Sequence, residues 1–361
     1  MQKKSRNTVI TKEPRPNKLW LIILLGIIFL GFLGINSLNP AKQKSAQLLS
    51  NGEVSPTPFP YQELTVPYLR EKTYESTLGD TQTVSGNGSY TTYLTSYTSE
   101  GLKINGLLTI PTGQEPPGGW PAIVVIHGYI PPAQYATLGP QYSDYVDYLA
   151  RSGFVVFKID LRGHGDSEGE PGGGYYGSDY VMDALNARAA LQKVSYVDPK
   201  KIGLWGHSMA GNIVLRSMTA KPDIPAVVIW AGAVYSYTDQ RKYGINDASF
   251  SPNQFNTQRF SRRREIFEKY GSPSAESVFW SQVAPTNYLN DLQGAIGIHH
   301  ATDDEVVNIG YSRDLIKLLD ATAVSHEFYE YPSGGHNITG GSFNQAMERT
   351  VEFFKTHLSG K

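Results

Sequence analysis

Ser208, Asp303, Asp304 and His336 are the residues whose types and order suit chemistry, and each follows an apolar run. Ser208 lies in Gly206-His207-Ser208-Met209-Ala210-Gly211, between "KIGLW" and "NIVLRSMTA", which reads as a helix. A serine in such a strand-turn-helix corner is presented as a nucleophile. The tight turn brings the strand and helix backbones together, so the positions two before and two after it must be small. Ala210 stands where a second glycine is usual, one methyl larger, and Gly206 carries the stricter demand. A serine in a glycine-rich turn is also an ordinary structural feature, so these residues by themselves leave both readings open.

A serine nucleophile needs a base to take its proton and a carboxylate to orient that base. "AIGIHHATDDEVV" supplies Asp303 and Asp304, and "EFYEYPSGGHNITG" supplies His336, in the order serine, acid, histidine. Asp304, followed shortly by valine and the next helix, is the expected acid, with Asp303 serving the turn. The developing oxyanion needs two backbone donors. The N–H of Met209 is the first candidate; that of Tyr129, after "VVIHG", is the second. His127 is expected to brace that loop rather than take part in catalysis.

Other polar groups have plainer readings. "DLRGHGDSEG" (160–169) suits turn-stabilising hydrogen bonds, and His164 is too close to that turn to displace His336. His299 and His300 are adjacent on a strand, so they point to opposite faces and make a poor ligand pair. No metal and no cofactor is expected. Arg262, Arg263 and Arg264 read as a solvated helix face, and Asn337-Ile338-Thr339, a glycosylation pattern, as incidental beside His336.

The elements that must hold these residues are short apolar runs, "AIVVIHG", "VVFKID", "IGLWGHS", "AVVIWAGA" and "AIGIHHATDD". Runs apolar on both faces are buried parallel strands, and "QYSDYVDYLARSG" and "DYVMDALNARAALQK" between them have the spacing of crossover helices. The predicted fold is a mostly parallel, doubly wound α/β sheet whose crevice lies at the carboxyl ends of the strands. Ahead of it, "SYTTYLTSYTS" and "LKINGLLTIP" predict two antiparallel edge strands turning at Glu100-Gly101. Residues 235–285, polar, aromatic and helical, interrupt the rhythm and read as a lid over the crevice.

Leu19 to Leu38 carries no charge and spans about 20 residues, enough for a ~30 Å hydrocarbon core. Lys3, Lys4, Arg6, Lys12, Arg15 and Lys18 precede it against a single Glu13, which places the N-terminus in the cytoplasm. The expected organisation is a basic cytoplasmic tail (1–18), a transmembrane anchor (19–38), a Pro-rich linker (39–60) and an extracytoplasmic catalytic domain (61–361). The alternative for the apolar run is a cleaved signal peptide. A formal charge of −1, with no long basic run beyond the N-terminus, gives no support to a nucleic-acid partner, and the absence of cysteine excludes disulfides and thiolate chemistry.

"DLRGHGDSEG", "YVDPKKIGLWGHSMAGN", the Asp304 loop and "GGHN" together resemble the α/β-hydrolase superfamily, and within it the catalytic domain of the prolyl oligopeptidase (S9) serine peptidases, from about Leu64 onwards. The resemblance implies an α/β-hydrolase fold, a Ser208-Asp304-His336 triad, and cleavage of short peptides or acylated amino acids through an acyl-enzyme. Ala210 departs from the family's glycine. The large N-terminal β-propeller of many members is missing from this sequence, which opens the alternative of a carboxylesterase acting on acetyl or lipid esters.

Overall fold

The hairpin expected at Glu100-Gly101 forms in a computed structural model of the chain, which describes residues 58–247 and 257–359, with backbone alone for 257–260. Strands β2 (Tyr90–Ser99) and β3 (Leu102–Pro111) pair from Ser99↔Leu102 to Tyr90↔Pro111. Glu100 and Gly101 both take positive φ, 51° and 83°, as a two-residue turn matched to strand twist requires. The proposed tail and transmembrane span, and the linker as far as residue 57, lie outside the described residues. Among the described residues no helix is long and apolar enough to cross a membrane.

The apolar runs become β4 (Trp120–Ile126), β5 (Val155–Ile159), β6 (Val197–His207), β7 (Ala226–Trp230) and β8 (Ala295–Ala301), followed by β9 (His326–Tyr331). The sheet order is β1-β2-β3-β5-β4-β6-β7-β8-β9, parallel from β5 through β9. The expectation that β2 and β3 form the edge is corrected: β1 (Gln82–Gly86) covers β2, and β3 pairs with β5. The sequence hid β1 because all five of its residues are exposed, which leaves no apolar alternation to read.

Helices cover both faces. On one, α2 (Ser143–Arg151) contacts α9 (Gly341–Leu358); on the other, α3 (Asp179–Leu191) contacts α4 (Met209–Ala220). The polar residues of buried α3 are matched: Asp183 with Arg162, Asn186 with Ser99, and Arg188 with Asp223. The 235–285 segment, between β7 and β8, contains α5 (Asp239–Tyr243), α6 (Thr257–Tyr270) and α7 (Val278–Val283). After β8, α8 (Gly310–Leu319) continues the βα rhythm, while the chain enters the sheet through α1 (Val66–Glu71).

The chain leaves β4 towards β5 on one side and later returns to β6 on the other, so the strand order reverses between β4 and β6. Such a reversal opens a crevice at the carboxyl ends of the strands. The register Ile126↔Gly206 sets 127–129 beside 207–209 at that point.

Candidate active site

Ser208 occupies φ 56°, ψ −119°, a conformation that costs energy for a residue with a side chain and lifts it out of the β6–α4 corner. The corner closes because Gly206 has no side chain. A Cβ there would stand 2.5 Å from the Ala210 carbonyl oxygen, whereas Ala210 itself is accommodated in full burial. Across the crevice, a Cβ on Gly128 would meet Ser208 Cβ at 3.0 Å, so the loop after β4 lies directly on the Ser208 turn.

His336 sits in a 3₁₀ turn (Gly335–Asn337) after β9, and its Nδ1 lies 2.8 Å from Asp304 Oδ2. That contact makes Nδ1–H the donor, so in the neutral ring Nε2 is the unprotonated atom. Asp304 Oδ1 accepts the backbone N–H groups of Val306 (2.8 Å) and Val307 (2.9 Å), and Oδ2 also accepts from His300 Nε2 at 3.1 Å. Burial opposes the charge of Asp304, but the hydrogen bonds from His300, His336 and Val307 outweigh it and hold the carboxyl well below its ordinary range. Asp303 holds the histidine's loop instead, accepting Gly335 N–H at 2.9 Å and Gly334 N–H at 3.2 Å. The structure therefore brings Asp304 and His336 together. Ser208 Oγ makes no hydrogen bond to His336 here, as is common for catalytic pairs before substrate arrives.

The β4 loop, the corner and the histidine loop are joined by one directional chain. Gly128 N–H must donate, so Tyr142 Oη accepts it at 2.8 Å, and the Tyr142 proton points to His207 Nδ1 at 2.7 Å. His207 Nε2–H then donates to the His336 carbonyl at 2.9 Å. His207 stays neutral, since burial and the neighbouring His336 lower its pKa to about 3. Gly128 N–H is thus engaged, which leaves Tyr129, next along, as the loop's candidate oxyanion donor. Met209 is the first residue of α4, where N–H groups lack intrahelical acceptors.

His127 is buried and stacks on Tyr135, at the strand end. Asp160 accepts from Tyr135, Thr137 and Ser167, and burial raises its pKa to about 6 against those bonds. His299 and His300 do face opposite ways: His299 meets Tyr331 and Thr350, while His300 meets Ser312, Val307 and Asp304. Among the described residues no group of histidines and carboxylates has the arrangement of a metal site. The contacts of Tyr142 and His207 were not anticipated from the sequence, and His300, read there only as a poor metal ligand, meets Asp304. A histidine inside an otherwise apolar buried strand must find a partner, and that demand was the available signal for His300.

Beside Ser208 a cavity of about 270 Å³ is lined by Tyr129, Tyr175, Tyr176, Met209 and Ile245, with Gln240 from α5 and Arg263 from α6.

Residues 121–263, which include Ser208 but neither Asp304 nor His336, match the sequence profile of the family described as serine aminopeptidase, S33. The chain is 22% identical over 271 residues to the uncharacterized peptidase YuxL of Bacillus subtilis (strain 168), covering 72% of this chain and 38% of that protein. It is 24% identical over 233 residues to a probable dipeptidyl peptidase 4 of Aspergillus flavus, covering 63% and 28%. The chain thus spans well under half the length of these curated relatives. In fold it is similar to acetyl xylan esterase 1 from Thermoanaerobacterium sp. JW/SL YS485, with a TM-score of 0.57 at 18% identity over 83% of this chain and 95% of that one. The sheet order, the strained serine corner at the strand reversal and these matches give the chain an α/β-hydrolase fold, similar to serine peptidases and esterases of that fold.

Proposed function

We propose that the chain is a serine hydrolase that cleaves short peptides or acylated amino acids through an acyl-enzyme. The observation that carries this is the His336–Asp304 contact, which leaves His336 Nε2 as the basic atom of a ring set in the same crevice as Ser208. Ser208 Oγ attacks the carbonyl carbon while His336 takes its proton, and Asp304 stabilises the imidazolium. The N–H groups of Met209 and Tyr129 receive the oxyanion. The proton on His336 then passes to the leaving amine, and water repeats the sequence to release the acid. The matches to peptidases support the choice of amide substrates.

A second reading, a carboxylesterase, is favoured by the cavity, whose walls of tyrosine, Met209 and Ile245 suit an acyl chain as well as a peptide side chain. The 235–285 segment is the proposed cover, since Gln240 and Arg263 within it line that cavity. Residues 19–38 are proposed as the membrane anchor, with the catalytic unit outside, on the strength of the charge-free run behind a basic tail. Carbonate-resistant membrane association, with protease access only from the outer face, tests that placement.

A fluorophosphonate probe should label the wild-type chain and fail to label Ser208→Ala, whose turnover should fall by about 10⁴ or more. Labelling that persists in the variant refutes the assignment of the nucleophile. Hydrolysis of esters but of no aminoacyl amide decides for the second reading.

A further inference from the structure

Three consecutive arginines, Arg262 to Arg264, follow Ser261 in α6, and they do not share one fate. Arg262 pairs with Glu63 at 2.6 Å, and Arg264 faces Glu268 at 3.7 Å on the same helix. Arg263 has no carboxylate within ion-pair reach among the described residues, and the sequence from 248 to 260 contains no aspartate or glutamate. Its guanidinium lies over the rings of Tyr176 (5.3 Å) and Phe267 (5.1 Å), contacts that hold it at the wall of the cavity. Among the described residues it is also the only arginine lining the cavity beside Ser208.

A second donor stands in the same wall. Tyr176 Oη donates to Gln240 Oε1 at 2.5 Å, which turns the Gln240 amide so that its N–H₂ is the end without a described acceptor. A guanidinium and an amide N–H₂ in a cavity whose other walls include three tyrosines, Met209 and Ile245 are complementary to a carboxylate carried on an apolar or aromatic body. Asp247 brings a negative charge to the same cavity and has contacts of its own, so a cationic substrate is the competing occupant and is included in the test.

We propose that Arg263 and Gln240 form an anion-binding subsite in the pocket beside Ser208, and that the preferred substrates bear a carboxylate at the far end of an apolar or aromatic group. The inference rests on the serine-hydrolase reading and narrows its substrate class.

The test compares esters that differ only in charge. On the acyl side these are p-nitrophenyl hexanoate, p-nitrophenyl hemiadipate and p-nitrophenyl 6-aminohexanoate. On the leaving-group side they are the hexanoates of 4-hydroxybenzoate and 4-hydroxybenzamide. In at least one series the carboxylate ester should exceed its neutral partner in kcat/KM by about tenfold, as a charge-assisted hydrogen bond at a half-open site supplies. Salt should weaken that preference. Arg263→Gln should bring the ratio close to one, and Arg263→Lys should retain part of it. Equal rates in both series, a preference for the aminohexanoate, or a preference that survives Arg263→Gln overturns the subsite while leaving the hydrolase reading intact. If none of the esters is turned over and the fluorophosphonate does not react, the hydrolase reading fails and the subsite falls with it.

Discussion

His300 Nε2 lies 3.1 Å from Asp304 Oδ2, the same oxygen that faces His336 Nδ1 at 2.8 Å. His300 Nε2 also faces the Val307 carbonyl at 2.9 Å, so it meets two acceptors and carries the proton. The ring therefore holds the carboxylate in place without competing for the proton of His336. His300→Ala should lower kcat by about tenfold with KM little changed, because it loosens the group that orients the base. A larger change in KM than in kcat excludes this positioning role.

Asp304→Asn should lower kcat by about 10³ to 10⁴, through loss of the orienting charge and the wrong histidine tautomer. The substitution also carries a pH signature. The folded-state value of Asp304 lies below the ordinary 3.8, so its stabilising contribution is complete above about pH 4 and is lost as the pH falls towards the folded value. Thermal melts between about pH 5 and pH 3 should show a steeper fall in Tm for the wild type than for Asp304→Asn.

Tyr142→Phe removes the acceptor of the Gly128 N–H and the donor to His207 in one step. A buried N–H left unpaired costs about 1–3 kcal/mol, so Tm should drop measurably. If the chain positions the oxyanion loop, kcat should fall by about tenfold, and the fluorophosphonate rate should fall with it. A lowered Tm with unchanged kcat at a temperature where the variant is folded limits Tyr142 to a structural role.

Gly206→Ala forces a methyl to within 2.5 Å of the Ala210 carbonyl and 2.8 Å of Val214 Cγ1. Overpacking of this kind costs about 1–3 kcal/mol, and here it displaces the nucleophile as well, so both Tm and kcat should fall. Ala210→Gly should keep most of the activity, since it removes one buried methyl and introduces no clash at the turn. Parallel melting curves and turnover numbers for the two variants check the contrast.

Arg162 forms a 2.7 Å ion pair with Asp183, and both side chains are buried. Removing one partner strands the other charge, so Arg162→Ala should destabilise the chain by about 3–5 kcal/mol in a denaturant titration. Its activity below the unfolding midpoint should change little.

Strands β4 to β8 were legible because each is a short run apolar on both faces, and so was the place of Ser208 at the end of one of them. Asp304 was separable from Asp303 by its downstream valines, and the geometry gives the two carboxylates different partners: His336 for one, the Gly334-Gly335 backbone for the other. β1 left no trace because a fully exposed strand has no burial pattern to write into its sequence. Tyr142 and His207 were illegible for another reason. They are 65 residues apart, and only the β4–β6 register brings them within 2.7 Å. Arg262, Arg263 and Arg264 look alike in sequence, yet only the local acids Glu63 and Glu268 distinguish their surroundings, and one of those is 199 residues away.

The chain from Gly128 through Tyr142 and His207 to the His336 carbonyl has a bearing on how this site can be rebuilt. Loops at the mouth of an α/β sheet are usually treated as interchangeable parts, grafted one at a time onto a fixed frame. Here three of them share a single run of protons with only one consistent direction. A graft of the β4 loop from another scaffold inherits a donor with no acceptor unless a phenol stands at position 142. A graft of the histidine loop likewise depends on an imidazole at 207, so the unit of transplantation is the trio of loops with both side chains.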